Sequence, residues 1–559
     1  MYNIHYSQTD ETILFAVEEL RRLILQAGYE ASPQLQSEWS NHKKQLPRIN
    51  LITASDYQKV KNHKEILLIQ KDGFAIVRSS KDTWIIGNEP RALLYGAYSY
   101  MKQQFGYRFV MLDSEEYGEP PLTENLYIHE PMFTRRGTII ETINNPTYIN
   151  SLIDWGVKNG QNECFFTFFL WDELKPHITD ALKKRGVQVT LGGHSLSYLL
   201  RGLIPVENES NSHPVKNLTF FSEHSPLQQQ VIERIVAICQ ENEVVTRISL
   251  WPEDIGVDRK TSVEFLQNYI RFTEKLREAF VKQKMAIEVE YIVYNAGLAW
   301  NMLERDGTKA SSQVDGLYAY WGRDYSTGIH SEEPNQQRAY NTLQDWRTRI
   351  AEKGRTLTVL EYYSDHFMLS ELFPPLMNRI EQDLKEYKQL GVSGVLNLIV
   401  PIHKKPHDPD QKWTYPWKWI HHMNNYVYLR LAWGESFETV MEEYFDLFDQ
   451  ERESFHQMLR TLEKLIAAHT KWNVPLFPAR VVDPEKVKKA NDIAQIVEDL
   501  RQIQDYVSSL DLTQIESLLP LHHEDQFFSL TPNEMMLVYV YYVKTFSETY
   551  LAEWESKLH

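Results

Sequence analysis

Cysteine is nearly absent: Cys164 and Cys239 are the two in 559 residues. That excludes a disulfide-stapled scaffold, and no Cys/His spacing of the zinc type is present, so no metal is expected. Long apolar runs are missing as well. The richest late one, Met535 to Val543, is far too short to cross a bilayer. Positive charge is in deficit, with 59 Lys and Arg against 76 Asp and Glu and a net charge of −17. An acidic surface of this kind argues against nucleic acid or an anionic membrane as partner. Met1 to Ser7 has neither a basic region nor an apolar core of the signal-peptide type, so a cytoplasmic location is expected. Internal repeats, low-complexity tracts and Gly-rich phosphate loops are also lacking; Gly192-Gly193 beside His194 is too short to cradle a phosphate. No cofactor is therefore expected. The sequence leaves a homodimer open.

Aromatic residues are plentiful, with 14 Trp and 31 Tyr. Most belong in cores, but flat rings also serve as platforms for sugar faces, so their positions matter. At this length more than one core is required.

The organising stretch is Val245 to Gly256. Val245 to Leu250 reads as a buried strand, Trp251-Pro252 breaks it, and the acids Glu253 and Asp254 follow at once. Seven further apolar runs surround it, at 137–141, 164–170, 187–191, 286–294, 316–320, 356–360 and 394–400. Helical patterns separate most of them, at 148–158, 174–185, 227–242, 261–284, 336–353 and 376–390. Alternating strand and helix implies a parallel sheet, and eight units over this length fit a closed (β/α)8 TIM barrel across 131–430. A doubly wound sheet stays as the alternative. Residues 1–130 read as a small α/β unit, with a helix around Ile13 to Ile24 and strands at 49–52, 65–69, 74–77 and 84–86. Residues 431–559 read as helical, with long amphipathic stretches at 437–468, 484–510 and 532–557 and a proline-marked linker at Pro475 and Pro478.

In the first unit a strand ending in Ile86-Gly87 leads to a helix carrying Leu94-Tyr95-Gly96-Ala97-Tyr98, then to Gly106-Tyr107-Arg108-Phe109. This stretch resembles the non-catalytic N-terminal domain of family-20 β-N-acetylhexosaminidases and family-67 α-glucuronidases. The resemblance implies a catalytic β/α barrel packed behind it. The whole layout resembles a broad group of bacterial glycosidase-like proteins, which by itself implies no particular substrate. Family 67 is similar in placing acids after strands four, six and seven. Family 20 carries Asp-Glu after strand four, whereas Glu253-Asp254 has the reverse order. Arg136-Gly137 resembles the family-20 arginine that binds sugar hydroxyls; the competing expectation is an ion pair at the closed end of the barrel.

Barrel enzymes put their chemistry where strands end. Here those ends carry Glu141, His194, Trp251 with Glu253 and Asp254, Tyr294-Asn295, Tyr320-Trp321 with Arg323 and Asp324, Glu361-Tyr362-Tyr363 with Asp365, and His403. Glycoside hydrolysis needs one protonated and one ionised carboxyl on either side of the scissile bond. The expected pair is Glu253 as general acid and Glu361 as opposing base or nucleophile, with Asp254, Asp324 and Asp365 as substitutes. Arg136, Glu141, His194, Trp251, Asp254, Asn295, Tyr320, Trp321, Tyr362 and Tyr363 are the expected sugar contacts. If the terminal sugar of a short oligosaccharide were a uronic acid, Arg323 or His403 would pair with its carboxylate. Trp413, Tyr415, Trp417 and Trp419 are expected at a lid or domain contact. The rival expectations are a non-catalytic sugar-binding barrel and a hexosaminidase-like enzyme.

Overall fold

A computed structural model describes residues 1–36, 46–60, 66, 69–203, 219–253, 259–294, 303–304, 308–370, 372–400, 417–472, 490–515, 517–519 and 529–558. The amino-terminal part is a six-stranded sheet built from β1 (Tyr2–Tyr6), β2 (Ala31–Leu35), β3 (Arg48–Thr53), β4 (Phe74–Arg78), β5 (Asp82–Gly87) and β8 (Leu126–His129), in the order β2-β1-β3-β5-β4-β8. The short strands β6 (Tyr107–Arg108) and β7 (Glu116–Tyr117) pair separately. Helices Glu11–Gln26 and Pro90–Phe105 pack on the large sheet through Leu20, Leu23, Ile24, Leu93 and Ala97, all buried. The sequence shows β3, β4 and β5 but not β1, β2 or β8. β2 is a mostly exposed edge and lacks the apolar alternation that marks a strand. Most of the run expected as a strand at 65–69 lies outside the described residues.

Eight parallel strands then close on themselves. They are β9 (Arg135–Ile140), β10 (Glu163–Thr167), β11 (Gln188–Gly193), β12 (Val245–Leu250), β13 (Glu288–Tyr294), β14 (Asp315–Ala319), β15 (Leu357–Asp365) and β16 (Gly394–Val400). β16 returns to pair with β9, which completes the expected barrel. Two boundaries differ clearly from expectation. The seventh strand, expected at 356–360, runs on to Asp365. The run at 164–170 stops being strand at Thr167, and Phe168–Lys184 is already helix. The two cysteines are buried free thiols, as expected.

The closed end of the barrel is filled by charge. Arg135 donates to both carboxylate oxygens of Glu163, to Glu290 Oε2 at 2.6 Å and to Thr358 Oγ1 at 2.9 Å. Arg247 pairs with Asp315 at 2.9 Å. One arginine reaching strands β10, β13 and β15 must lie inside the barrel, which sets the inward parity of each strand. Burial pushes Glu163 up, but Arg135 more than offsets it, and the carboxyl falls to about 2.

Behind the barrel the chain is helical among its described residues: Trp417–Trp433, Phe437–Phe445, Arg452–Ala467, Ala490–Ser508 and Pro532–Glu555. Trp433 docks the amino-terminal sheet, stacking on His129 at 4.6 Å and lying 6.3 Å from Phe74. Asp72 ties the same seam together by receiving Arg91 at 2.7 Å, Arg136 at 2.8 Å and the Asn162 amide at 2.6 Å. Of the aromatic cluster expected at a lid or domain contact, Trp413 and Tyr415, and the side chains of Trp417 and Trp419, lie outside the described residues. No helix among the described residues is long and apolar enough to cross a membrane.

Candidate active site

The open end of the barrel is reached where β12 stops. Trp251 is buried, stands 5.1 Å from Phe165 and donates its indole N–H to Ser249 Oγ at 2.9 Å. Pro252 cannot extend the ladder, so the chain turns and presents Glu253 at the rim. The Glu253 carboxylate accepts two bonds from Ser197, from its backbone N–H at 3.2 Å and its hydroxyl at 2.9 Å. Asp254 lies outside the described residues.

Beside it, β11 ends in two glycines whose geometry leaves no choice of residue. A Cβ on Gly192 would lie 1.8 Å from the Ser249 carbonyl oxygen. Gly193 has φ +63° and a Cβ there would meet Glu141 Oε1 at 2.9 Å. These glycines bring β12 and Glu141 close to β11 and aim His194 across the rim. His194 Nδ1 lies 2.9 Å from the Pro252 carbonyl, and its ring meets Trp251 edge-on at 5.4 Å and Tyr294 at 6.5 Å. The structure therefore brings together Glu141, His194, Trp251, Glu253 and the half-buried Tyr294. Asn295 lies outside the described residues.

On the far side, β15 departs from the expected pairing. Thr358 faces inward to Arg135, so Leu360 and Tyr362 face inward and Val359 and Glu361 face outward. Glu361 pairs in register with Asn397, whose amide reaches Asn425 on the outer helix Trp417–Trp433. The Glu361 carboxylate accepts from Arg323 at 2.5 Å, from the Tyr325 hydroxyl at 2.8 Å and from the Tyr387 hydroxyl. Arg323 also binds Asp383 at 2.5 Å, and Tyr363 donates to Asp383 at 3.2 Å. Asp383 and Tyr387 belong to the helix Met377–Leu390, which covers the barrel from outside. Glu361 is 3% exposed and Arg323 1%. Burial, together with Asp383 nearby, raises the Glu361 carboxyl above its ordinary value despite Arg323.

The expectation that Glu361 opposes Glu253 across the mouth is corrected by this geometry, because its side chain is on the other side of the sheet. Tyr363 is outward for the same reason. Arg323 is held by two buried carboxylates and is not available to a uronate, while His403 lies outside the described residues. Tyr320 follows the outward alternation of Tyr318, whose hydroxyl donates to Ala339 O on an outer helix at 2.7 Å. Trp321 and Tyr362 are buried, and Tyr362 is on the inward side. Asp324 caps its own loop by accepting from Ser326 N–H at 2.8 Å.

The ladder to β16 explains how an acid still reaches the inside. Glu361 pairs with Asn397, but Ser364 pairs with Ile399 and Asp365 with Val400. Three steps on β15 match two on β16, so one residue is extra, a β-bulge. The alternation reverses there. Val400 lies on the inward side set by Gly394 next to Arg135, so Asp365 faces inward as well. It is 1% exposed and accepts from Phe367 N–H at 3.0 Å.

Arg136 is the other correction. Its guanidinium is fully buried at the opposite end, donating to Asp72, to Gly160 O at 2.8 Å and to Phe133 O at 2.5 Å. It sits 4.9 Å from the Trp433 ring. The ion pair at the closed end is what the chain builds.

Sequence reasoning missed Ser197, Asp383 and Tyr387. Asp383 carried a signal: it interrupts the apolar stripe of Ile380, Leu384 and Tyr387, where a lone acid needs a buried cation. Among the described residues no group of three or more His, Cys, Asp or Glu is placed to hold a metal. A cavity of about 480 Å³ lies away from the mouth, lined by Arg22, Glu115, Asp154, Trp155, Lys158 and Arg185. Its cations are already ion-paired with Glu115 and Asp154, so it reads as a charge-balanced cleft beside the amino-terminal sheet.

Residues 1–100 match the family model of the glycosyl hydrolase family 67 N-terminus. No curated protein matches the chain. Among solved structures the chain is similar to a GH138 enzyme targeting pectin rhamnogalacturonan II, with TM-score 0.60 and 11% identity over 99% of this chain and 68% of that one. It is also similar to a family GH115 4-O-methyl-alpha-glucuronidase with specificity for decorated arabinogalactans, with TM-score 0.56 and 12% identity over 100% and 76%. A third is CpGH84B, with TM-score 0.53 and 12% identity over 100% and 87%. At these identities the likeness is one of fold.

Proposed function

We propose that the chain is a glycoside hydrolase that removes a terminal sugar from a short oligosaccharide, with Glu253 and Asp365 as its two carboxyls. The observation that carries this reading is the bulge in β15. It returns an acid to the inward side of the seventh barrel strand while the fourth presents Glu253 at the rim. Glu253, oriented there by the N–H and hydroxyl of Ser197, serves as general acid to the glycosidic oxygen. Asp365, oriented by the Phe367 N–H, acts from the opposite arc as base or nucleophile. His194 and Glu141 lie where sugar hydroxyls would approach, and Trp251 and Tyr362 form walls.

The match of residues 1–100 to a glycosidase domain and the shared fold support this class. Because Arg323 is already paired, a carboxylate on the terminal sugar is not required. The pectin rhamnogalacturonan II and decorated arabinogalactans named for the two structural neighbours suggest the first panel: fragments of each, with matching aryl monosaccharides.

The test is hydrolysis of that panel by wild type, Glu253→Gln and Asp365→Asn. Loss of about 10²–10⁴ in kcat/KM for both variants is expected. Wild type that binds a sugar but turns none over would leave a non-catalytic barrel in its place.

A further inference from the structure

Just outside the mouth, the first turn of the helix Phe168–Lys184 places an aromatic ring in water. Phe169 is 38% exposed, although its neighbours Phe168, Leu170 and Trp171 are buried. Among the described residues of the barrel it is the exposed aromatic; the other exposed large apolar side chain there, Val281, ends a helix at the closed end. Nothing in the fold requires Phe169. A polar residue would serve a solvated helix start as well and would avoid leaving apolar surface in water.

Its surroundings are organised. Tyr198, half-buried, stands 6.4 Å from Phe169 with the rings inclined at 56°. The Tyr198 hydroxyl donates to Asp172, one turn along from Phe169, and Arg201 covers the Tyr198 ring at 5.3 Å. Glu173, also on the exposed face, accepts from the Asn144 amide after β9. An apolar ring bordered by carboxylates and an amide has the chemistry that recognises a pyranose, with C–H groups on the ring face and hydroxyls at its rim. The patch is also tied to the reactive region, because Ser197, the residue before Tyr198, holds Glu253.

We infer that Phe169 and Tyr198 form a binding platform for the sugar on the leaving-group side of the scissile bond. The proton donated by Glu253 goes to the leaving oxygen, so the leaving sugar must lie on Glu253's side of the pocket, and that side continues through Ser197 onto this surface. The inference rests on the hydrolase reading. It adds that the ring beyond the bond cleaved is itself gripped by the protein, with Asp172 and Glu173 accepting from its hydroxyls.

The experiment compares wild type with Phe169→Ala on the oligosaccharide pools and aryl monosaccharides named above. The ratio of kcat/KM for oligosaccharide to that for the aryl glycoside is expected to fall about tenfold in the variant. An unchanged ratio with turnover retained overturns the platform and leaves the hydrolase standing. If wild type turns nothing over, the hydrolase reading fails, and calorimetric affinity for the same oligosaccharide pools decides the platform alone. Weaker binding by Phe169→Ala upholds it; equal binding, or none by wild type, overturns it. Tyr198→Phe, which keeps the ring and removes the bond to Asp172, should lower the ratio by less than Phe169→Ala.

Discussion

Glu361 and Asp365 stand four residues apart on one strand and point to opposite sides of it. An even spacing in a regular strand would put them on one face. The extra residue between them, seen in the pairing of Glu361 with Asn397 and of Asp365 with Val400, separates their roles. One acid joins the packing between sheet and helix, and the other is delivered to the mouth.

This separation predicts distinct phenotypes. Asp365→Asn should reduce turnover of any substrate found while leaving stability from urea unfolding within about 1 kcal/mol of wild type, as expected for an acid that serves the mouth rather than the packing behind the sheet. Glu361→Gln should behave in the reverse sense, with a shifted midpoint and turnover reduced only through disorder of the loop at Arg323. Matched unfolding curves and kinetics on both variants check this.

Arg323 neutralises two buried carboxylates, so its removal should be costly. Arg323→Met leaves Glu361 and Asp383 facing each other without this cation, and a loss of about 3–5 kcal/mol is expected. The double variant Arg323→Met with Glu361→Leu should recover part of that loss. Equilibrium denaturation of the cycle measures it.

Two groups at the seam between the amino-terminal sheet and the barrel lose their stabilising contributions in the same direction, as pH falls, but in separate pH windows. His129 is held down to about 4, mainly by burial. A depressed histidine contributes its full stability above the unfolded value near 6.5, and about 3 kcal/mol is lost as pH falls from there to 4. Asp72 is burdened by burial, but Arg91 and Arg136 prevail and bring it to about 2. Its contribution is complete above about 4 and fades, by about 2 kcal/mol, only as pH falls towards 2. Stability measured against pH should therefore show a step between 6.5 and 4 that His129→Gln removes, and a lower one that persists in that variant.

Gly193→Ala should damage the mouth more than the fold. Its positive φ costs a non-glycine residue about 1–2 kcal/mol, and the new methyl must displace Glu141. A crystal structure or a drop in sugar affinity of the variant would register the shift. Gly192→Ala, whose methyl would meet the Ser249 backbone, should fail to accumulate as folded protein.

Much of the architecture was legible along the chain. Val245–Leu250 and Gly394–Val400 match their apolar runs end to end, and Pro90 and Gly106 bound their helix. These features depend on neighbours within a turn or two, so periodicity and end residues report them. The run at 164–170 misled because Phe168, Leu170 and Trp171 are apolar for a helix buried against the barrel as they would be for a strand. The mouth residues Trp251, Glu253 and His194 were found because proline and paired glycines mark a strand's end.

By itself, then, the sequence determined the alternation of strands and helices in the barrel, the number of its strands and the polar, aromatic stretches near their ends, since each is set by local hydrophobic period and turn chemistry. Only the tertiary structure decided which side of the sheet each side chain occupies. Alternation has a period of two but no origin of its own. The origin comes from Arg135 spanning the interior, and the reversal at Asp365 comes from a register with β16 that no single strand contains.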